Sequence, residues 1–387
     1  MRFASLLGAL VLGGVLASAC TGSKRSTLAR PGPPDVTSGA SSGGGAIFGE
    51  AGGCPSEGAC GTEVHAVAFD APNIYFVLDV SGSMLEVPEG EDETRYALVR
   101  DKAIALVDEL GALISVGAAL FPHGNVEDYP CSPGAEVLPI TPGDPYDGDN
   151  YEGPTTTAFR KATKVTPLGG TPVAATLTAL APKLAAAKGR TLVLLVTDGG
   201  PNCNPSASCE ASECMPVLYG QCAPADGCCD PGSDVGGPAL CVDAAATIAS
   251  VKALADAGID VHVIGVPDDT LSLFGNVLDA MAEAGGAPQS GPTKYLAPGN
   301  LDELGASLAK LATDAISCEI TLGNPPAEEG FTNVYFGCDV VTHDYMNGWS
   351  WTAPATISLN GESCIALKSG KIGEVKIISG CPTELPD

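Results

Sequence analysis

The run Asn73-Ile-Tyr-Phe-Val-Leu-Asp-Val-Ser-Gly-Ser-Met84 decides how this chain folds. Its first seven residues are apolar nearly throughout, as expected of a strand with both faces buried in a parallel sheet. Asp79, Ser81 and Ser83 then follow on alternating positions of a tight turn. That spacing converges one carboxylate and two hydroxyls at the C-terminal edge of the sheet, where open α/β folds place ligands. Outward from this run, apolar stretches of strand length recur at 113–121, 191–197 and 260–266. Between and after them, segments 95–110, 172–187, 243–257, 271–284 and 301–316 carry apolar residues at three- and four-residue spacing, so they are predicted helices. The alternation predicts an α/β fold: a doubly wound, mostly parallel sheet with helices on both faces, Rossmann-like in layout.

Two distant pieces belong with the first turn. Gly169-Gly170-Thr171-Pro172 precedes a predicted helix, and Val196-Thr197-Asp198-Gly199 closes a predicted strand. Singly, each has an ordinary explanation: Asp79 and Ser83 as turn and capping residues, Thr171 before Pro172 as a helix cap, Asp198-Gly199 as a turn. Together and in this order they resemble the metal-ion-dependent adhesion site (MIDAS) of von Willebrand factor type A (VWA) domains, the family that includes integrin inserted domains. The resemblance covers residues 64–317. It implies that Asp79, Ser81 and Ser83 match the family's Asp-x-Ser-x-Ser loop, Thr171 its second loop and Asp198 its third. It further implies hydroxyls bound directly to a metal, aspartates acting mainly through waters, and one position open to a partner's carboxylate. Hard oxygen donors with few fixed charges suit Mg²⁺ or Mn²⁺ better than Ca²⁺.

The chain has 387 residues, 45% hydrophobic and 17% charged, enough for a large domain and a smaller one. A net charge of −27 leaves no basic footprint for nucleic acid. Residues 1–19 read as a signal peptide: Arg2, then a short apolar run, then Ala17-Ser18-Ala19 before Cys20. The ending is similar to a bacterial lipobox, with Cys20 the acylated residue, although Ala17 stands where Leu is more usual and also fits ordinary cleavage to a soluble secreted protein. Removing Cys20 from the fifteen cysteines leaves an even number for pairing. Residues 20–53, rich in Gly, Ser, Pro and Thr, read as a flexible tether. The expected order is then a VWA domain over 54–317 and a small disulfide-stapled β domain over 318–387.

Cysteine usage points to an oxidising compartment. Cys54 and Cys60 mark the entry into folded structure. Segment 199–241 is a cysteine-rich insert with Cys203, Cys209, Cys214, Cys222, Cys228, Cys229 and Cys241. Seven is odd, and Cys131 in another loop is the natural eighth. The insert lacks paired Cys-x-x-Cys knuckles and nearby histidine, so disulfides are expected rather than zinc. In the last domain, spacing favours Cys318 with Cys338 and Cys364 with Cys381.

No Gly-x-Ser-x-Gly elbow, His-Glu-x-x-His or phosphate-binding Gly-Lys-Ser/Thr loop is present, so an enzyme is not expected. The leading expectation is an exported, lipid-anchored module that binds a protein partner through its metal. The alternative is a tethered scaffold whose metal is structural. Glu86, Glu89, Glu91, Asp92 and Glu93, read chiefly as charge at a helix N-terminus, would also favour a partner with one carboxylate among neutral or basic groups.

Overall fold

The computed structural model describes residues 63–65, 67–147, 152–268 and 270–386. The signal segment, Cys20, the tether and Cys54 and Cys60 lie outside the described residues. In chain order the strands are β1 (Glu63–His65), β2 (Val67–Phe69), β3 (Asn73–Asp79), β4 (Ser115–Phe121), β5 (Ala135–Pro142), β6 (Thr191–Thr197), β7 (Asp260–Gly265), β8 (Glu319–Leu322), β9 (Thr332–Phe336), β10 (Asp339–Val341), β11 (Trp349–Ala353), β12 (Thr356–Leu359) and β13 (Val375–Ser379). The helices are α1 (Arg95–Leu110), α2 (Pro154–Ala162), α3 (Val173–Ala185), α4 (Met215–Leu218), α5 (Ala244–Asp256), α6 (Gly275–Ala284), α7 (Leu301–Ala315) and α8 (Gly361–Lys368). Among them none is long and apolar enough to cross a membrane.

Strands β3, β4, β6 and β7 run parallel in the order β5-β4-β3-β6-β7, with β5 antiparallel at the edge. Every residue of β3 is buried, and its alternation divides them between two cores. Ile74, Phe76 and Leu78 face Val99 and Val107 of α1, Phe159 of α2 and Leu308 of α7. Tyr75 and Val77 face Leu177 of α3, Val251 of α5 and Met281 of α6. This is the doubly wound, mostly parallel α/β arrangement expected from the sequence. Register sets Asp79 opposite Phe121, and Thr197 opposite Gly265, so the ends of four strands open onto one edge.

Thr94 caps α1 by accepting from the Ala97 amide, and the first turn of α1 holds no acid. The acids of 86–93 therefore sit in an exposed loop ahead of the helix, between the Ser83 turn and α1. Segment 271–284 is also not one helix: residues Leu271–Phe274 form a 3₁₀ turn before α6.

The last part of the chain forms two antiparallel four-stranded sheets, β1-β13-β9-β10 and β11-β12-β8-β2, with α8 packed against them. Trp349, Val334, Ile357 and Ile377 are fully buried at its centre. Strands β1 and β2, expected within the domain over 54–317, pair instead with β13 and β8. A two-residue period reveals that a short strand exists and says nothing of its partner.

The insert is stapled by Cys131–Cys203, Cys209–Cys241, Cys214–Cys229 and Cys222–Cys228, so Cys131 does join the seven. The sulfurs of Cys209, Cys229 and Cys241 converge, yet each is spent in a disulfide. In the last module the expected pairing is corrected: Cys318 bonds Cys364. Pairing of β12 with β8 sets Ser358 opposite Glu319 and brings the start of α8 beside Cys318, a closeness the sequence spacing does not encode. Cys338 and Cys381 are also disulfide-bonded.

Candidate metal centre

Asp79 ends β3 with no exposed surface. The Ser81 amide donates to its Oδ1 at 2.8 Å, and the Thr197 hydroxyl at the end of β6 donates to its Oδ2 at 2.5 Å. After Ser81 the chain turns through a 3₁₀ segment, Gly82–Leu85, which sets the Ser81 and Ser83 hydroxyls 3.1 Å apart. The Ser83 hydroxyl donates to Oδ1 of Asp198 at 2.8 Å. Four of the five sequence-predicted ligands are thus joined by direct or one-step hydrogen bonds.

Thr171 is joined through the backbone. The Gly82 amide donates to the Gly169 carbonyl at 2.9 Å, and the Leu168 amide to the Val80 carbonyl at 2.8 Å. Helix α3 begins at Val173 with Pro172 at its cap position, so the Thr171 hydroxyl is not spent as the helix cap. Both backbone groups of Thr171 are held by Asn202: its amide donates to Oδ1 at 2.8 Å, and its carbonyl accepts from the Asn202 amide at 2.9 Å. The two glycines have separate reasons. Gly169 has φ +94°, and a Cβ there would stand 2.6 Å from the Pro130 carbonyl. A Cβ on Gly170 would stand 2.5 Å from Sγ of Cys203, so the loop lies flat against the Cys131–Cys203 bond.

Burial, and then the nearby Asp198 carboxylate, pushes the Asp79 carboxyl up to about 7. Burial also raises Asp198, with Arg95 pulling the other way. Two crowded buried carboxylates beside two hydroxyls form a donor set of hard oxygens with no sulfur or imidazole. Such a set fits a divalent cation of the Mg²⁺ or Mn²⁺ type, which would offset the charge that burial makes costly.

Sequence reasoning missed four contributors. Arg95, the first residue of α1, donates through Nη1 to the Ser83 carbonyl at 2.9 Å and to Asp198 Oδ2 at 2.5 Å, and through Nη2 to Asp268. Its signal was legible: a cation in the first turn of a helix opposes the macrodipole, so it calls for acidic partners. Asp268, just past β7, lies at the same sheet edge. Asn202 left no sequence signal, because its bonds to Thr171 span 31 residues. Tyr219 of the insert packs edge-on against Phe274, and its phenol is pushed up to about 12 by burial and then by Asp198.

No protein-family model matches the chain, and no curated protein matches it. Among solved structures it is similar to the PilB minor pilin from Streptococcus sanguinis, at 18% identity over 64% of this chain and 61% of that one, with a TM-score of 0.42. It is similar to the vWF domain of the type V pili tip protein Mfa5 from Porphyromonas gingivalis, at 12% identity over 64% and 95% of the two chains, with a TM-score of 0.42. A third is the manganese-loaded TRAP protein of Plasmodium vivax, at 15% identity over 76% and 94%, with a TM-score of 0.38. This chain thus spans under two thirds of the pilin's length. None of these likenesses bears on which ligand the site takes.

Proposed function

We propose that this chain is an exported, lipid-anchored binding protein that captures a protein partner through a divalent metal ion at the sheet edge. Ser81, Ser83 and Thr171 would hold Mg²⁺ or Mn²⁺ by their hydroxyls, while Asp79 and Asp198 orient its waters. The bound ion supplies an open position for a carboxylate oxygen of the partner. The observation that carries this reading is the hydrogen-bonded convergence of Asp79, Ser81, Ser83 and Asp198 from two strand ends 118 residues apart, as counted between Asp79 and its neighbour Thr197. Acylation of Cys20 is proposed on the sequence alone, from its place after the signal segment and the parity of the other cysteines.

The rim favours a protein over a small anion. Leu85, Val87, Tyr129, Leu168, Tyr219 and Leu273 are exposed, in the loops and 3₁₀ turns at the C-terminal edge of the central sheet. Apolar and aromatic side chains around a polar centre are what a protein interface offers. The scaffold alternative is weakened by the staples already present, since Cys131–Cys203 and the Asn202 bonds tie the Thr171 loop without any metal.

The test is capture from surface extracts by the purified ectodomain, with Mg²⁺ and with chelator. Partner capture is expected only with metal, and Thr171→Ala should abolish it while leaving the circular dichroism spectrum unchanged. Capture that ignores both chelator and Thr171→Ala would contradict the reading.

A further inference from the structure

Arg95 is 5% exposed, and its guanidinium is the cation in direct contact with the candidate metal ligands. Nη1 bridges the Ser83 carbonyl and Asp198 Oδ2, while Nη2 reaches Asp268 and, at 3.4 Å, Glu86. Asp268 is itself held by the Thr270 hydroxyl, so the guanidinium is gripped from both sides. A buried cation in the first turn of a helix is costly both in lost hydration and in the field of the helix. Only the acids facing it make the position tenable. Asp198 is the shared group: one oxygen accepts from Ser83, the other from Arg95.

We propose that Arg95 is the resident counter-ion of the metal site, holding Asp198 and the Ser83 loop in place when the site is empty and limiting how tightly it takes a divalent ion. This rests on the reading of the site as a Mg²⁺ or Mn²⁺ centre. The argument is one of charge. Without an ion, the Asp198 and Asp268 carboxylates share a single guanidinium, with Glu86 at 3.4 Å, which screens their repulsion and keeps Asp198 and the Ser83 loop in position. Filled, the same guanidinium sits beside a second cation and opposes it. Arg95 is thus a positioning residue: it touches Asp198, which would orient the ion's waters, and the backbone carbonyl of Ser83, whose hydroxyl would bind the ion, and it trades affinity for a site that keeps its shape between occupants.

The experiment measures Mn²⁺ affinity by titration and the melting temperature in chelator, for wild type, Arg95→Gln and Arg95→Lys. Arg95→Gln is expected to bind Mn²⁺ about tenfold or more tightly than wild type, since a like charge is removed from a poorly solvated site, and to melt lower in chelator. Arg95→Lys keeps the charge and should stay within about threefold of wild type in affinity. A residue of merely structural importance would weaken binding when removed, so affinity equal to or below wild type in Arg95→Gln overturns the inference. Should Arg95→Gln not fold, the double variant with Asp268→Asn removes one of the two buried carboxylates that lose their cation, leaving only Asp198, which keeps its bond from Ser83. It is expected to bind Mn²⁺ more tightly than Asp268→Asn alone, and equal or weaker binding overturns the inference. Wild-type binding without any gain in the variants rejects the role of Arg95 only; no Mn²⁺ binding in any of them overturns the metal reading as well.

Discussion

His262 shows how one residue of β7 couples the fold to pH. Burial depresses its pKa, and its Nδ1 is buried without a hydrogen-bond partner. The unfolded chain therefore binds a proton near the ordinary histidine value that the folded chain refuses. Its contribution to stability is present above about pH 6.5 and is lost as pH falls below it. Melting curves at pH 7 and 5 should show a smaller acid loss for His262→Gln than for wild type; equal losses would remove His262 as a cause. Its place on an apolar strand is plain from the run 260–266, but its missing partner is a tertiary fact that the sequence does not show. The same contrast runs through the metal centre. Asp79, Ser81 and Ser83 were legible because their geometry is local to one turn. Asn202 was not, because a side chain that grips Thr171 from the first residues of an insert is a tertiary fact. Arg95 stood between the two, its charge signalling a partner that only the fold could name.

The insert is the element that departs furthest from a minimal sheet-and-helix domain. Its disulfide membership, Cys131 with the seven, followed from parity, whereas the pairs depended on the path of the loop. Cys131–Cys203 closes 72 residues and lies against Gly170, so it clamps the Thr171 loop from outside. Replacing both cysteines by serine should cost about 2–4 kcal/mol by differential scanning calorimetry. Mn²⁺ affinity should fall in the same variant, because the Asn202 bonds to Thr171 lose their anchor. An unchanged affinity would mean that the clamp does not reach the ligands. Elements the sequence reading passed over share a cause. Strand β5 is a half-exposed edge interrupted by two prolines and without a clean two-residue alternation, and α2 is a nine-residue helix with one strong core anchor, Phe159, edge-on to Phe76 at 5.3 Å. Neither length nor period lifts such segments above their surroundings. The four central strands were plain because both of their faces are buried.

Across the whole molecule, the chain is not a simple succession of two domains. It runs through the antiparallel module in β1 and β2, builds the central sheet, and returns to complete the module with β8 to β13. A chain beginning at residue 72 should expose the edges of β13 and β8 and melt the last module earlier than a chain beginning at residue 54. Two separate calorimetric transitions, the earlier shifted down only in the shorter chain, would show this; identical profiles would contradict it. The acidic loop of 86–93 is exposed and leads directly from the Ser83 turn into α1, beside the site where a partner is proposed to dock. Everything proposed about partners rests on the metal. The most direct measurement is the melting temperature of wild type and Asp79→Ala, each with Mg²⁺ or Mn²⁺ and with chelator. Metal that binds only the folded state should stabilise wild type by about 2.7 kcal/mol at a hundredfold excess over Kd and leave Asp79→Ala folded but largely unresponsive. A wild type whose melting is indifferent to Mg²⁺, Mn²⁺ and chelator would contradict the account at its root.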